Sequence, residues 1–197
     1  MDGVGERENG RVITEYLDSC PYCGRRALTV RMVVCDVPHI GETLIYSWSC
    51  SGCGYTHRGV QPLEAKDPIR IKFKVERPED LYVKIVRSPY ATIRIPEIGF
   101  EMLPGAFTSF FLTNVEGMLE KVKEAGEIFL ALSSSEDDKK RVLGYLDRVK
   151  EIREKLHFTI EIEDPKGLSK IITINQEQAK RLRIEKGDID VQKEERG

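Results

Sequence analysis

Cys20-Pro21-Tyr22-Cys23-Gly24 and Cys50-Ser51-Gly52-Cys53-Gly54 are two copies of one device, a C-x-x-C turn closed by glycine. Each turn directs two sulfurs to one side of the backbone. The glycine after the second cysteine lets the chain take a positive φ, which turns backbone N–H groups toward the sulfurs. Together the turns supply four thiolates, the number a closed tetrahedral zinc site requires. The interval between them, residues 24–49, is longer than the commonest ribbon spacing and suits a two-stranded excursion. Redox pairs and disulfides are the competing readings. A catalytic C-x-x-C normally occurs once, at a helix start after a strand. Disulfides need an oxidising compartment, and the opening MDGVGERENGRVITEY has no apolar core of a secretory signal. The spacing therefore predicts one structural Zn²⁺ on Cys20, Cys23, Cys50 and Cys53. Cys35, in the apolar run Met32-Val33-Val34-Cys35, is expected to be a buried strand residue. His57, four residues past Cys53, is expected beside the site or on the surface, since four cysteines already complete it.

Outward from the knuckles, the chain divides by pattern. Residues 1–18 read as a polar leader, loose until Val12 and Ile13. Residues 19–62 form the zinc-ribbon module, with strands over Leu28–Cys35 and Glu42–Cys50 and a Pro/Gly loop between. Little apolar area is available there, so metal ligation must contribute much of its folding energy. Residues 63–175 form a β domain. Ile69, Ile71, Phe73 and Val75 alternate with Arg70, Lys72 and Lys74, and the period of two recurs at Leu81-Val83-Ile85, Ile93-Ile95 and Phe158-Ile160-Ile162. Asp164-Pro165-Lys166-Gly167 predicts a turn that pairs Phe158–Ile162 with Ile171–Ile174 as a hairpin. Short strands with turn signals argue for an antiparallel sandwich or barrel. Residues 113–157 interrupt it with two helices. Thr113-Asn114-Val115-Glu116 has the form of a capping box, followed by the stripe Val115, Met118, Leu119, Val122 and Phe129. Ser135 can cap a second helix carrying Val142, Leu146, Val149, Ile152 and Leu156. These stripes predict a helical hairpin packed on the sheet. Residues 176–197 read as a charged tail, with two possible helical turns over Ala179–Lys186.

Composition and motifs narrow the function. The net charge of −2 exerts no global pull on nucleic acid or anionic membrane. The longest apolar run, Ile128–Leu132, is too short to cross a bilayer. A cytoplasmic protein without a membrane span is the expectation. An iron oxygenase needs two histidines and a carboxylate, but only His39, His57 and His157 exist, two of them in the zinc module. No G-x-S-x-G elbow, phosphate-binding G-x-x-x-x-G-K-[ST] loop or G-x-G-x-x-G motif is present, so neither a hydrolase nor a nucleotide binder is expected. Nucleic-acid binding is the alternative function, because Arg25, Arg26, Arg31 and Arg58 flank Tyr46, Trp48 and Tyr55. Charge counting argues against it. Over residues 19–62 those four arginines meet Asp36 and Glu42, a formal +2, while four thiolates and one Zn²⁺ sum to −2.

A set of ordered strings carries a resemblance. Cys20–Gly24, Pro38-His39-Ile40-Gly41-Glu42, Ser49–Tyr55, Ala91-Thr92-Ile93-Arg94-Ile95-Pro96-Glu97, Thr113-Asn114-Val115-Glu116-Gly117 and Glu163-Asp164-Pro165-Lys166-Gly167 occur in sequence. The chain resembles the ZPR-type zinc-finger protein family from about Cys20 to Ile174, in its shorter, single-module, archaeal-like form. The resemblance implies a mostly β fold with some α. A four-cysteine zinc ribbon would precede an antiparallel double-stranded β-helix, jelly-roll-like, carrying an inserted helical hairpin. It also implies a folding chaperone or binding partner of translation elongation factor one-alpha. By resemblance, Pro38, His39, Glu42, Arg94 and Glu97 fall in motifs that are candidates for client contact, with Trp48 as an aromatic contact beside them. Eukaryotic members carry two copies of the module, so their two-copy mechanism does not transfer directly.

Overall fold

The computed structural model describes residues 6–8, 11–38, 40–105 and 110–187. The chain forms two compact units, Met1–Ala65 and Lys66–Gly197.

The first unit is one antiparallel meander: β1 (Glu6–Glu8), β2 (Arg11–Asp18), β3 (Leu28–Val37), β4 (Gly41–Cys50) and β5 (Thr56–Pro62), ordered β1-β2-β3-β4-β5. The stretch read as a leader thus contains two strands, β1 and β2, and the run Val12-Ile13-Thr14 and Tyr16 of β2 suits pairing along β3, where Asp18 faces Leu28 and Val12 faces Val34. Strand register places the knuckles. Leu28 at the start of β3 pairs with Cys50 at the end of β4, and Val37 with Gly41 at the other end. Both knuckles therefore lie at one end of the sheet, one between β2 and β3 and the other between β4 and β5. The buried apolar set is small: Cys20, Leu28, Val30 and Cys50, with Ala27, Met32, Trp48 and Tyr55 packed against it. Cys35 is half-buried rather than buried, opposite Thr43 on β4.

The second unit holds β6 (Ile69–Val75), β7 (Lys84–Arg87), β8 (Thr92–Ile95), β9 (Phe100–Met102), β10 (Phe111–Asn114), α1 (Val115–Leu132), α2 (Glu136–Lys155), β11 (Phe158–Asp164), β12 (Lys170–Ile172), α3 (Gln176–Arg181) and β13 (Leu182–Lys186). Its strands make two antiparallel sheets, β13-β6-β11-β8-β9 and β10-β7-β12. This is the jelly-roll arrangement, with the helical hairpin inserted between β10 and β11. Every second residue of β6 and β11 is buried: Ile69, Ile71, Phe73 and Val75 face inward, with Phe158, Ile160 and Ile162. The half-buried residues between them form an ion-pair ladder, Lys72 to Glu161 at 2.8 Å and Arg70 to Glu163 at 2.8 Å.

Five local expectations change. β11 and β12 do not form a hairpin; β11 pairs with β6 and β8, whereas β12 pairs with β7 in the other sheet. The reason is Asp164, fully buried at the corner. Its carboxylate accepts from the N–H groups of Lys166, Leu168 and Ser169 and from the hydroxyls of Ser88 and Ser169. These bonds steer the chain into the second sheet instead of back along the first. Leu81 lies in a 3-10 turn over Pro78–Tyr82 rather than a strand, because Asp80 accepts from the N–H groups of Glu76 and Arg77. The cap of α1 is Asn114, not Thr113: its side chain accepts from Gly117 N at 2.8 Å. Ala179–Lys186 is split, with α3 ending at Arg181 and β13 adding to the edge of β6. In α1 the residues Val115, Met118, Leu119 and Val122 are buried as their spacing predicts, while Phe129 is 66% exposed. Phe129 sits near the tip of the hairpin, past Val122 and Gly126, the last buried residues of α1. Ser135 caps α2 by accepting from Asp138 N, and Glu116 of α1 pairs with Arg153 near the end of α2, as antiparallel helices require.

Candidate metal centre

The two knuckles repeat each other bond for bond. Gly24 N donates to Cys20 O at 2.8 Å, and Gly54 N to Cys50 O at 2.9 Å. Cys20 N donates to Arg25 O and Cys50 N to Tyr55 O, both at 2.8 Å. The glycines take φ of 73° and 76°, the left-handed region that glycine adopts without penalty. Ser51 N donates to Ala27 O, which ties the second knuckle to the first.

Four sulfurs converge as a result. Cys20 and Cys53 approach to 3.8 Å, Cys23 and Cys50 to 3.8 Å, and all four Sγ atoms lie within 4.8 Å of one another. Tetrahedral ligation with Zn–S bonds of about 2.3 Å sets sulfurs about 3.8 Å apart. The residues fit the ion. None of these cysteines is in a disulfide. Cys20 and Cys50 are buried, Cys23 is half-buried and Cys53 is exposed.

The donor set also needs a cation on electrostatic grounds. Burial resists ionisation of Cys20, but the N–H groups of Cys23 and Tyr22 and the thiols of Cys50 and Cys53 bring it down to about 7. At Cys53 the Tyr55 N–H favours the thiolate. Desolvation and the other three sulfurs outweigh it and push the thiol up to about 12. The Cys53 thiol thus resists ionisation beside the other sulfurs; a divalent ion, when bound, supplies the charge that favours its thiolate.

The other residues named from the sequence scatter. His57 is exposed on β5 and packs against Trp48 at 5.1 Å and Tyr46 at 5.6 Å, away from the sulfur group. Pro38 and Glu42 are exposed at the far end of the β3–β4 pair, and His39 lies outside the described residues. Trp48 is half-buried, 5.9 Å from Tyr46. In the second unit Arg94 is already engaged, donating to Glu163 and Glu101 at 2.6 Å each. Partial burial opposes ionisation of Glu163, but Arg94 and Arg70 overcome it and hold its carboxyl below the usual range. Glu97 is exposed on a 3-10 turn. Missed in the sequence was Tyr22, 81% exposed and stacked on Tyr55 at 6.0 Å and 7°. The available signal was an aromatic residue at each knuckle.

The profile of the ZPR1 zinc-finger domain matches residues 13–67, and that of the ZPR1 jelly-roll domain matches residues 79–196. The chain belongs to the ZPR1 family. An uncharacterized ZPR1-like protein of Pyrococcus horikoshii is 34% identical over 177 residues, covering 86% of this chain and 78% of that protein. A second ZPR1-like protein, from Methanocaldococcus jannaschii, is 34% identical over 155 residues, 78% of each chain. The zinc finger chaperone zpr1 of Schizosaccharomyces pombe is 29% identical over 177 residues, 84% of this chain but 36% of that one. The ZPR1 zinc finger and the four converging sulfurs agree: the cysteines are positioned to bind one zinc ion. Among the described residues no helix is long and apolar enough to cross a membrane.

Proposed function

We propose that this chain is a cytoplasmic, non-enzymatic chaperone that grips a partly folded protein client, and that the client is translation elongation factor one-alpha. Membership of the ZPR1 family carries the reading, since one of its members bears the name zinc finger chaperone. Surface chemistry supports it. Ile128, Phe129 and Leu132 expose 60%, 66% and 76% of their area near the tip of the helical hairpin, a local apolar excess of the kind that marks protein-binding sites. Nearby, a groove of 360 Å³ runs between α1 and α2 over Leu119, Leu146 and Val149. On the ribbon, Leu17, Ile45 and Val60 are exposed as well. Such surfaces suit a protein that shields apolar client segments until they are buried in the client's own fold. Pro38, Glu42 and Glu97 are the exposed members of the contact set, with His39 beside Pro38 in sequence. Arg94 contributes less, being held by two glutamates. The choice of client rests on the family resemblance.

The test mixes zinc-loaded protein with elongation factor that is native, nascent or refolding from denaturant. Co-elution with the refolding form, higher recovery of nucleotide-binding factor, and loss of both on replacing Cys20 and Cys23 with serine are expected. Absence of association with every form of the factor would end the proposal.

A further inference from the structure

The knuckle end of the ribbon carries a chemistry that gripping an apolar client does not use. Tyr22, in the first knuckle, holds its ring parallel to that of Tyr55, which follows the second. Arg25 crosses from the first knuckle to the second, its Nη1 donating to Gly52 O at 3.2 Å. A Cβ at Gly52 would lie 3.1 Å from the Arg25 Cδ, so the side chain lies close over that turn. The contact orients the guanidinium and leaves its other N–H groups without a partner among the described residues. Arg26 is exposed and has no carboxylate partner among them, and residues 19–35 contain no Asp or Glu.

We propose that this face binds single-stranded nucleic acid, with unpaired bases stacking on Tyr22 and Tyr55 and the flanking phosphates meeting Arg25 and Arg26. The flat, water-facing ring of Tyr22 accepts a base of any sequence, half-buried Tyr55 backs it from the second knuckle, and an oriented guanidinium matches a phosphate oxygen. Arg25 and Arg26 outnumber Asp18, the exposed carboxylate opposite Leu28, and this cationic surplus favours a polyanion over an apolar peptide. Because the zinc–thiolate centre offsets two positive charges, few counterions are released. Binding is therefore weak and shallow in its salt dependence, a slope of about one to two. A duplex is excluded, since its base faces are already stacked.

Anisotropy of a labelled short oligouridylate, titrated with zinc-loaded full-length protein at low salt, tests the proposal. Saturable binding is expected, weakened about tenfold by Tyr22→Ala and preserved by Tyr22→Phe. Arg25→Ala should lower the salt slope by about one. Zinc content, read with a chromogenic chelator, verifies that each variant is folded. No binding at low salt, equal binding of a duplex, or binding indifferent to Tyr22→Ala and Tyr55→Ala would overturn it. If Tyr22→Ala spares the oligonucleotide but abolishes association with elongation factor, the rings contact the client. The chaperone reading then stands while this one fails.

Discussion

Removing zinc should unfold the ribbon and spare the jelly roll. Among the described residues of the first unit the fully buried aliphatic side chains are Leu28 and Val30, worth about 3–6 kcal/mol together at about 1.5–3 kcal/mol each. Structural zinc in finger-sized modules contributes about 10–16 kcal/mol at neutral pH, so the ion outweighs that core by about twofold or more. The second unit has its own core, from Ile69 to Ile171, with no sulfur ligand in it. Two optical signals separate the units. Trp48 is the chain's single tryptophan and belongs to the ribbon. All helices among the described residues belong to the second unit, so ellipticity at the helical band reports there. A strong chelator should shift Trp48 emission to the red and abolish its thermal transition, leaving the helical transition within a few degrees of its holo value. Cys20→Ser and Cys50→Ser, at buried sulfurs, should do the same without chelator. Cys53→Ser, at the exposed one, should weaken zinc affinity while leaving a metal-dependent fold. Unchanged Trp48 emission after verified metal removal would refute the assignment of folding energy to the ion. Simultaneous loss of both transitions would refute the independence of the cores.

Other outcomes depend on single contacts in the second unit. Asp80 is fully buried and paired with both terminal nitrogens of Arg181. Burial opposes its ionisation, but Arg181 and the N–H groups of Glu76 and Arg77 hold its carboxyl below the usual range. A depressed folded value means stability that is complete above the unfolded value near about 4 and is lost as pH falls through the lower folded one. Arg181→Ala should cost about 3–5 kcal/mol in urea unfolding at neutral pH, and a loss below about 1 kcal/mol would contradict the pairing. Gly167 has φ of 64°, and a Cβ there would lie 2.2 Å from the Asp67 carbonyl oxygen, so Gly167→Ala should destabilise by about 2 kcal/mol or more. Met118→Ala should cost about 2–5 kcal/mol, whereas Phe129→Ser, equally apolar in the sequence pattern, should leave unfolding within about 0.5 kcal/mol.

The readable parts were those governed by local chemistry. Spacing alone named the four zinc cysteines, because a C-x-x-C-G turn makes the same hydrogen bonds wherever it occurs. Period-two alternation located β6, β8 and β11, and helical spacing located α1 and α2, because a single buried face imposes each pattern. What needed the fold was every choice among distant partners. The turn at Asp164 looks like a hairpin loop until its carboxylate is seen to gather Ser88 from 76 residues away as well as Ser169 from the turn itself. Leu182 and Ile184 look like helix or tail until β6 offers an open edge. Phe129 belongs to an apolar stripe by spacing, but the buried part of α1 ends at Gly126 and leaves it in water. Tyr22 and Tyr55 meet because the β3–β4 register aligns the two knuckles across the sheet. Backbone geometry and side-chain periodicity act over a few residues and are written in order along the chain. Pairing between strands and the reach of a buried surface depend on the whole packed arrangement, and only the tertiary structure decides them.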